Sequence, residues 1–173
     1  PRHSRIVKHH AVDKPIFSKY QLEDQIATIF ENRVPLKSGG SIVIEQTEAL
    51  VAIDVNSGRA TKEKDLEQTA LTTNLEAAEE VARQVRLRDL GGLIVVDFID
   101  MREHKNRGAV ERALREHVKG DKARTRIGRI SQFGLLEMVR QRIAPSIEFG
   151  RLVPCPYCNG KGLTPSTETL AIK

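Results

Sequence analysis

The chain is poor in several residue types that define large protein classes. It has no tryptophan, and its aromatic residues amount to 4% of 173, so any hydrophobic core must be aliphatic. Two cysteines are too few for a disulfide framework. The longest apolar stretches are short, "LIVV" at 93–96 among them, far below the length that spans a bilayer. The basic start "PRHSRIVKHH" lacks the apolar region of a secretory signal. Together these absences argue against a disulfide-stapled secreted scaffold and an integral membrane protein, and predict a cytoplasmic one. The chain opens on proline and ends within an apparent helix start, "STETLAIK", which reads as a segment of something longer.

What is present suits a folded domain, with apolar residues at 39% and charged residues at 29%. The net charge of +5 is unevenly placed. Residues 102–142 hold 12 Lys/Arg against 5 Asp/Glu, a balance of +7, which leaves −2 for the rest. Such a segment is the electrostatic footprint expected for a polyanionic partner, although a charge run is also commonly just a solvated helix face. Arginine outnumbers lysine 9 to 3 there, which favours phosphate contacts.

The apolar periodicity predicts an α/β fold with a mixed sheet flanked by helices. A helix is expected over 19–33, with Ser18 and Gln21 as a capping box and Phe17 and Leu22 as a staple. "SIVIEQ" and "ALVAIDV" read as a hairpin around a polar turn, "QTE". A long helix follows over about 62–88, with a possible break at "TTN" and a stop at Gly91–Gly92. "LIVVDFI" has the continuous β-branched character of a central parallel strand. A helix over 104–119, a strand in "RTRIGRIS" and a helix in "FGLLEMVRQRI" complete the pattern. The expected organisation is a tail over 1–17, the main domain over 18–148, a short module over 149–165, and the start of a further domain over 166–173.

Two strands, "VAIDVNSG" and "IVVDFIDM", each reach an aspartate at the carboxyl end, where ligands collect in open α/β sheets. If the strands are neighbours, Asp54 and Asp97 share a crevice, and Asn56 lies on the face of Asp54. Asp100 joins only if the strand has ended before it. Two carboxylates without a nearby His or Cys suit a hard cation such as Mg²⁺. The competing reading, in which Asp54 and Asn56 close Asx turns, remains open at this point. The histidines at 9, 10, 104 and 117 are expected to be structural or solvent-exposed. "KSGGS" lacks the spacing of a phosphate-cradling loop.

The cysteines stand in "CPYCNGKG". A redox pair needs its first thiol at a helix N-terminus early in a βαβ unit, and here "NGKGLTP" follows near the end of the chain. The motif instead fits a zinc knuckle. Structural zinc takes four ligands, so Cys155 and Cys158 supply half a site, and the simplest source of the rest is the same motif on a second chain.

The stretch "GGSIVIEQTEALVAIDVNSGRATKEKDLEQTALTTNLEAAEEVARQVRLRDLGGLIVVDFIDM", with "RISQFGLLEMVRQR" and "CPYCNGKG", resembles the catalytic core of the bacterial ribonuclease E/G endoribonucleases over about Pro15 to Gly162. That resemblance implies a deoxyribonuclease-I-like subdomain followed by a zinc link. It implies Mg²⁺-dependent cleavage of single-stranded RNA, often A/U-rich and with a 5′-monophosphate end, leaving 5′-phosphate and 3′-hydroxyl products. It assigns the metal to Asp54 and Asp97, a supporting role to Asn56, and an intersubunit Zn²⁺ to Cys155 and Cys158. Dimers, dimers of dimers and other RNA-decay proteins are the implied partners. Arg124, Arg126, Arg129 and Arg140 are the candidate RNA contacts. The family's OB-fold, 5′-sensor and RNase-H-like parts would lie before this segment, so the core alone is expected to grip RNA weakly, or to act only as a zinc-linked dimerisation and RNA-contact module.

Overall fold

A computed structural model describes residues 7–58, 66–144, 155–158, 160, 162 and 166. The chain enters through two helical turns, α1 (Ile16–Lys19) and α2 (Leu22–Ala27), and a 3₁₀ turn at Thr28–Phe30. Strands β1 (Arg33–Pro35), β2 (Ser41–Gln46) and β3 (Val51–Asn56) follow. Then come helix α3 (Leu66–Leu87), strand β4 (Gly92–Asp97), helix α4 (His104–Val118) and strands β5 (Thr125–Ile130) and β6 (Leu135–Arg140). The six strands form one mixed sheet in the order β1-β2-β3-β4-β6-β5.

Alternation sets the faces. Ile42, Ile44, Ile53, Val55, Ile94, Val96, Leu136 and Met138 are buried, in register across the four inner strands. They form one aliphatic core with Ala77, Ala78, Val81 and Val85 of α3 and Val110, Leu114 and Val118 of α4. At roughly 25 cal/mol per Å² of apolar surface, this core is the main stabilising term. Residues of the opposite parity, such as Ala52, Asp54, Val95 and Asp97, occupy the more open face.

The hairpin β2–β3 and the parallel pairing of β3 with β4 agree with the sequence pattern. The hairpin is closed by Thr47, whose hydroxyl and amide both donate to the Leu50 carbonyl. Helix α3 runs unbroken through "TTN", because Thr73 and Asn74 are buried against the fold rather than exposed as a breaker. Its expected start, near residue 62, lies outside the described residues.

Two expected helices are not formed. The 19–33 helix is broken at Gln21, whose φ is 51°, and Ser18 sits inside α1 without capping anything. Leu22, Ile26 and Ile29 fall at helical spacing, but Ile29 is buried while Ile26 remains 46% exposed, so the three do not share one buried face that would reward a continuous helix. The Arg88 guanidinium instead draws in the carbonyls of Thr28 and Glu31 at 2.8 and 2.7 Å, steering the chain into β1. The second failure is 133–143. "LLEMVR" contains good helix formers, yet Leu136, Met138 and Arg140 are buried in alternation with exposed Glu137 and Val139. Between β4 and β5, tertiary pairing overrides propensity. The expected boundary at 17/18 falls inside α1, while 148, 149 and 165, which bound the short module, lie outside the described residues.

Candidate active site

The strand register brings the two aspartates together. Asp54 and Asp97 are direct partners across the parallel β3–β4 pair, at the carboxyl end of both strands. Adjacent strands lie about 4.8 Å apart, so the carboxylates are neighbours on the open face. Asn56, two residues on, shares that face, and its Nδ2 donates to Asp54 Oδ2 at 2.6 Å. Both residues lie within strand β3, and the bond ties the two side chains together on its open face.

The pocket is electrostatically uneasy. Asp97 has its pKa raised, first by partial desolvation and then by the charges of Asp54 and Asp100. A cation between the carboxylates would relieve that repulsion. Asp54 and Asp97 are hard oxygen donors of the kind Mg²⁺ takes one or two of, keeping water and substrate oxygens for the rest of its shell. No group of three or more ligating side chains occurs among the described residues. The donor set thus fits a partly hydrated dication better than an all-protein cage.

Four features that the sequence did not single out shape this site. Asn74 is wholly buried on α3, accepting from the Ile99 amide at 3.0 Å and donating to the Ile99 carbonyl at 2.8 Å. This reciprocal clamp fixes the backbone between Asp97 and Asp100. Replacing Asn74 with leucine leaves both Ile99 groups unpaired, and a buried unsatisfied polar group costs about 1–3 kcal/mol. The variant is expected to melt at lower temperature and to lose catalytic rate more than RNA affinity, as melting curves and a split of kcat from KM would show.

Gly134, at φ +81°, presses its backbone onto the carboxylates. A Cβ there would stand 3.2 Å from Asp100 Oδ1 and 3.8 Å from Asp97 Oδ1. Its carbonyl also accepts from the Phe98 amide. Gly40 does the same beneath β3, where a Cβ would meet the Asn56 carbonyl at 2.6 Å. Glu67, in the first turn of α3, accepts from the amides of Arg102 and Glu103 and from Asn106. Its pKa is lowered by the Arg102 amide first and the Asn106 amide next, and it caps the start of α4, where Glu103 makes no side-chain cap. A cleft of about 360 Å³ adjoins Asp100, lined by Ser57, Glu67, Ile99 and Arg102.

The candidate RNA-contact arginines do not converge. Arg124, just before β5, and Arg126, on this edge strand, are both exposed. Pairing places Arg126 opposite Val139, two strands over and four residues along from Asp97, roughly 16 Å away by strand spacing and rise. A bulge between Ile127 and Ile130 turns Arg129 to a recess of about 580 Å³ that it shares with His104, Arg107 and Arg115. Arg140 is the correction. It is 3% exposed and bonds Asp121, Asp89 and the Leu90 carbonyl, so it braces the fold and is not offered to RNA. A helix reading of 133–143 concealed this, since it gave Arg140 no inward direction.

At the other end of the chain, Cys155 is exposed and Cys158 partly so, and both are free thiols. The Cys155 thiol has its pKa lowered by the amides of Cys158 and Tyr157, and then by the Cys158 side chain. The Gly162 amide donates to Cys158 Sγ at 3.3 Å. Amides turned toward two sulfurs are what a thiolate pair requires. Among the described residues no helix is long and apolar enough to cross a membrane.

Comparison with known proteins places this geometry in a family. Residues 1–143 match the profile of the Ribonuclease E/G family. The chain is 54% identical over 172 residues to Ribonuclease E of Escherichia coli, covering 99% of this chain and 16% of that protein. It is 39% identical over 170 residues to Ribonuclease G of Salmonella typhimurium, covering 98% of this chain and 35% of that protein. A chloroplastic Ribonuclease E/G-like protein of Arabidopsis thaliana is 42% identical over 165 residues, which span 94% of this chain and 16% of that protein. The chain therefore spans between about a sixth and a third of these relatives' length. With its paired strand-end aspartates and a match over most of its residues, the chain belongs to the ribonuclease E/G family.

Proposed function

We propose that this chain is the metal-binding core of an endoribonuclease that hydrolyses single-stranded RNA. The observation that carries the reading is the register pairing of Asp54 with Asp97 at the carboxyl ends of β3 and β4. Asp54 and Asp97 would hold Mg²⁺. When bound, the ion supplies activation of a water and neutralisation of charge on the scissile phosphate. Asn56 orients the Asp54 carboxylate, the Asn74 clamp fixes the turn after Asp97, and Gly134, lacking a Cβ, leaves room beside the carboxylates of Asp97 and Asp100. The water oxygen forms a bond to phosphorus as the bond to O3′ breaks. The proton passes to that leaving oxygen, giving 5′-phosphate and 3′-hydroxyl ends. Arg124, Arg126 and Arg129 supply salt-sensitive contacts to backbone phosphates on either side. The test is cleavage of a labelled single-stranded RNA with Mg²⁺, abolished by EDTA and yielding 5′-phosphate ends; metal-independent cleavage would overturn it.

The CPYC segment serves a second role in the same reading. Cys155 and Cys158 would hold a structural Zn²⁺ jointly with the same pair of a second chain, linking two cores in the cytoplasm. Native mass spectrometry should find a dimer with one zinc that falls to monomer on chelation; a dimer that survives chelation intact rules this out. The more modest reading is a dimerisation and RNA-contact module that is catalytically silent by itself. Cleavage by the isolated chain would eliminate it.

A further inference from the structure

The turn between β5 and β6, "SQFG", carries a phenylalanine where turn chemistry favours small polar residues. Phe133 is 73% exposed, more than any other phenylalanine among the described residues, in a chain with few aromatics to place. No core contact explains it. Yet the turn around it is tightly held: the Ser131 amide donates to Leu135, the Gly134 amide to Ser131, and the Phe133 amide to the Ser131 hydroxyl. The next residue, Gly134, is the one whose backbone lies against Asp97 and Asp100 and accepts from Phe98. A hydrogen-bonded turn therefore holds an uncovered aromatic ring on the residue next to the glycine that adjoins Asp97 and Asp100. On the strand leading into that turn, exposed Arg126 and Arg129 offer phosphate contacts.

Resting on the RNA-cleavage reading above, we propose that Phe133 is a stacking platform for an unpaired nucleobase next to the scissile phosphate. Aromatic stacking is how proteins seat single-stranded bases without reading their sequence, because every base presents a π-face. A phosphate held at Asp54 and Asp97 puts a neighbouring base within the span of this ring, and the ring would fix the strand's direction across the site. Duplex RNA, whose bases are already stacked on each other, would gain nothing from it. The platform thus supplies a preference for single strands built into this core.

The chain has no tryptophan, so Phe133→Trp introduces a sole indole at the platform, which can be excited selectively over the two tyrosines. Titration in EDTA with an A/U decaribonucleotide should quench its emission, while an abasic ribose-phosphate strand of equal length should bind, by end-label anisotropy, without quenching. Equal quenching by both strands, or binding of the RNA without quenching, overturns the proposal. Phe133→Ala is expected to weaken RNA binding by about 5- to 150-fold, the range of one lost base stack. Phe133→Tyr should stay within about 3-fold of the parent, and neither should shift the melting temperature. Unchanged RNA affinity in Phe133→Ala overturns the platform and assigns the ring to a protein contact. If that variant still cleaves, only the platform fails; if neither strand binds the parent chain, the RNA reading fails with it.

Discussion

Asp97→Asn is expected to abolish Mg²⁺-dependent cleavage of single-stranded RNA, by at least about 10³-fold, without lowering the melting temperature. The rate loss follows from removing one of two charged oxygens that would hold the ion, whose stabilisation of transition-state charge is worth several kcal/mol. The undiminished stability follows from electrostatics in the fold. Asp97 has its pKa raised, by desolvation first and by Asp54 and Asp100 next. Its charged form is therefore less favoured in the fold than in the unfolded chain, a penalty absent below the unfolded pKa and complete once pH has risen through the folded one. A neutral amide of the same shape removes it. Gel-resolved cleavage of an end-labelled RNA and a thermal melt at pH 7 check both halves. Cleavage persisting in the variant and in EDTA would remove Asp97 from the site. A large fall in melting temperature would give it a structural role instead.

The largest expected effect on stability belongs to Arg140→Met. Arg140 closes a network that the chain assembles from three distant places: Asp89 after α3, Asp121 after α4, and its own position on β6. Its Nε and Nη2 grip Asp121 at 2.7 and 3.1 Å, and its Nη1 reaches Asp89 Oδ1 at 2.7 Å and the Leu90 carbonyl at 2.8 Å. Both members of the Arg140–Asp121 pair have side chains 3% exposed. Removing Arg140 leaves the buried Asp121 charge with only the Ala123 amide and the more distant Arg86, and the expected loss is about 3 kcal/mol, measured by urea denaturation. Adding Asp121→Asn should recover part of it, since the orphaned charge is then gone.

The same network has a pH signature. Burial alone would raise the Asp121 pKa, but the Arg140 hydrogen bond, the Ala123 amide and the charges of Arg140 and Arg86 outweigh it, so the pKa is lowered from its ordinary 3.8. A depressed carboxyl contributes stability that is fully present above the unfolded value and lost as pH falls through the folded one. The parent chain should therefore lose this share below about pH 3.8, while Arg140→Met, having already lost the pairing, should show little further loss from Asp121 there. Matching acid slopes in parent and variant would contradict the assignment.

Legibility varied along the chain with the kind of signal each segment carries. β4 was plain because "LIVV" admits few alternatives to a buried strand, and β3 because "VAIDV" alternates in and out. Residues 133–143 misled because Leu, Glu, Met and Arg are good helix formers, and only the register against β4 and β5 shows that their buried members lie two apart. The entry segment misled in another way: Leu22, Ile26 and Ile29 fall at helical spacing, but spacing cannot say whether a partner face exists. Arg88, 60 residues on, decides where that segment turns. Asn74 looked like a possible helix break because an isolated polar side chain carries no label for the backbone it will meet.

The sequence by itself determined the chemistry on offer: two strand-end aspartates with an asparagine two residues on, a basic segment, a CPYC pair, and an aliphatic core in an α/β order. Those are local properties, set by residue type and short-range periodicity. The tertiary structure alone decided which of them meet. It paired Asp54 with Asp97 by strand register, brought Gly134 onto the carboxylates, locked the Ile99 backbone with Asn74, and turned Arg140 inward while leaving Phe133 in the open. Each of those outcomes depends on contacts between segments tens of residues apart, whose free energy comes from burial and pairing in the assembled fold, and that information is spread over the whole chain rather than carried by any one motif.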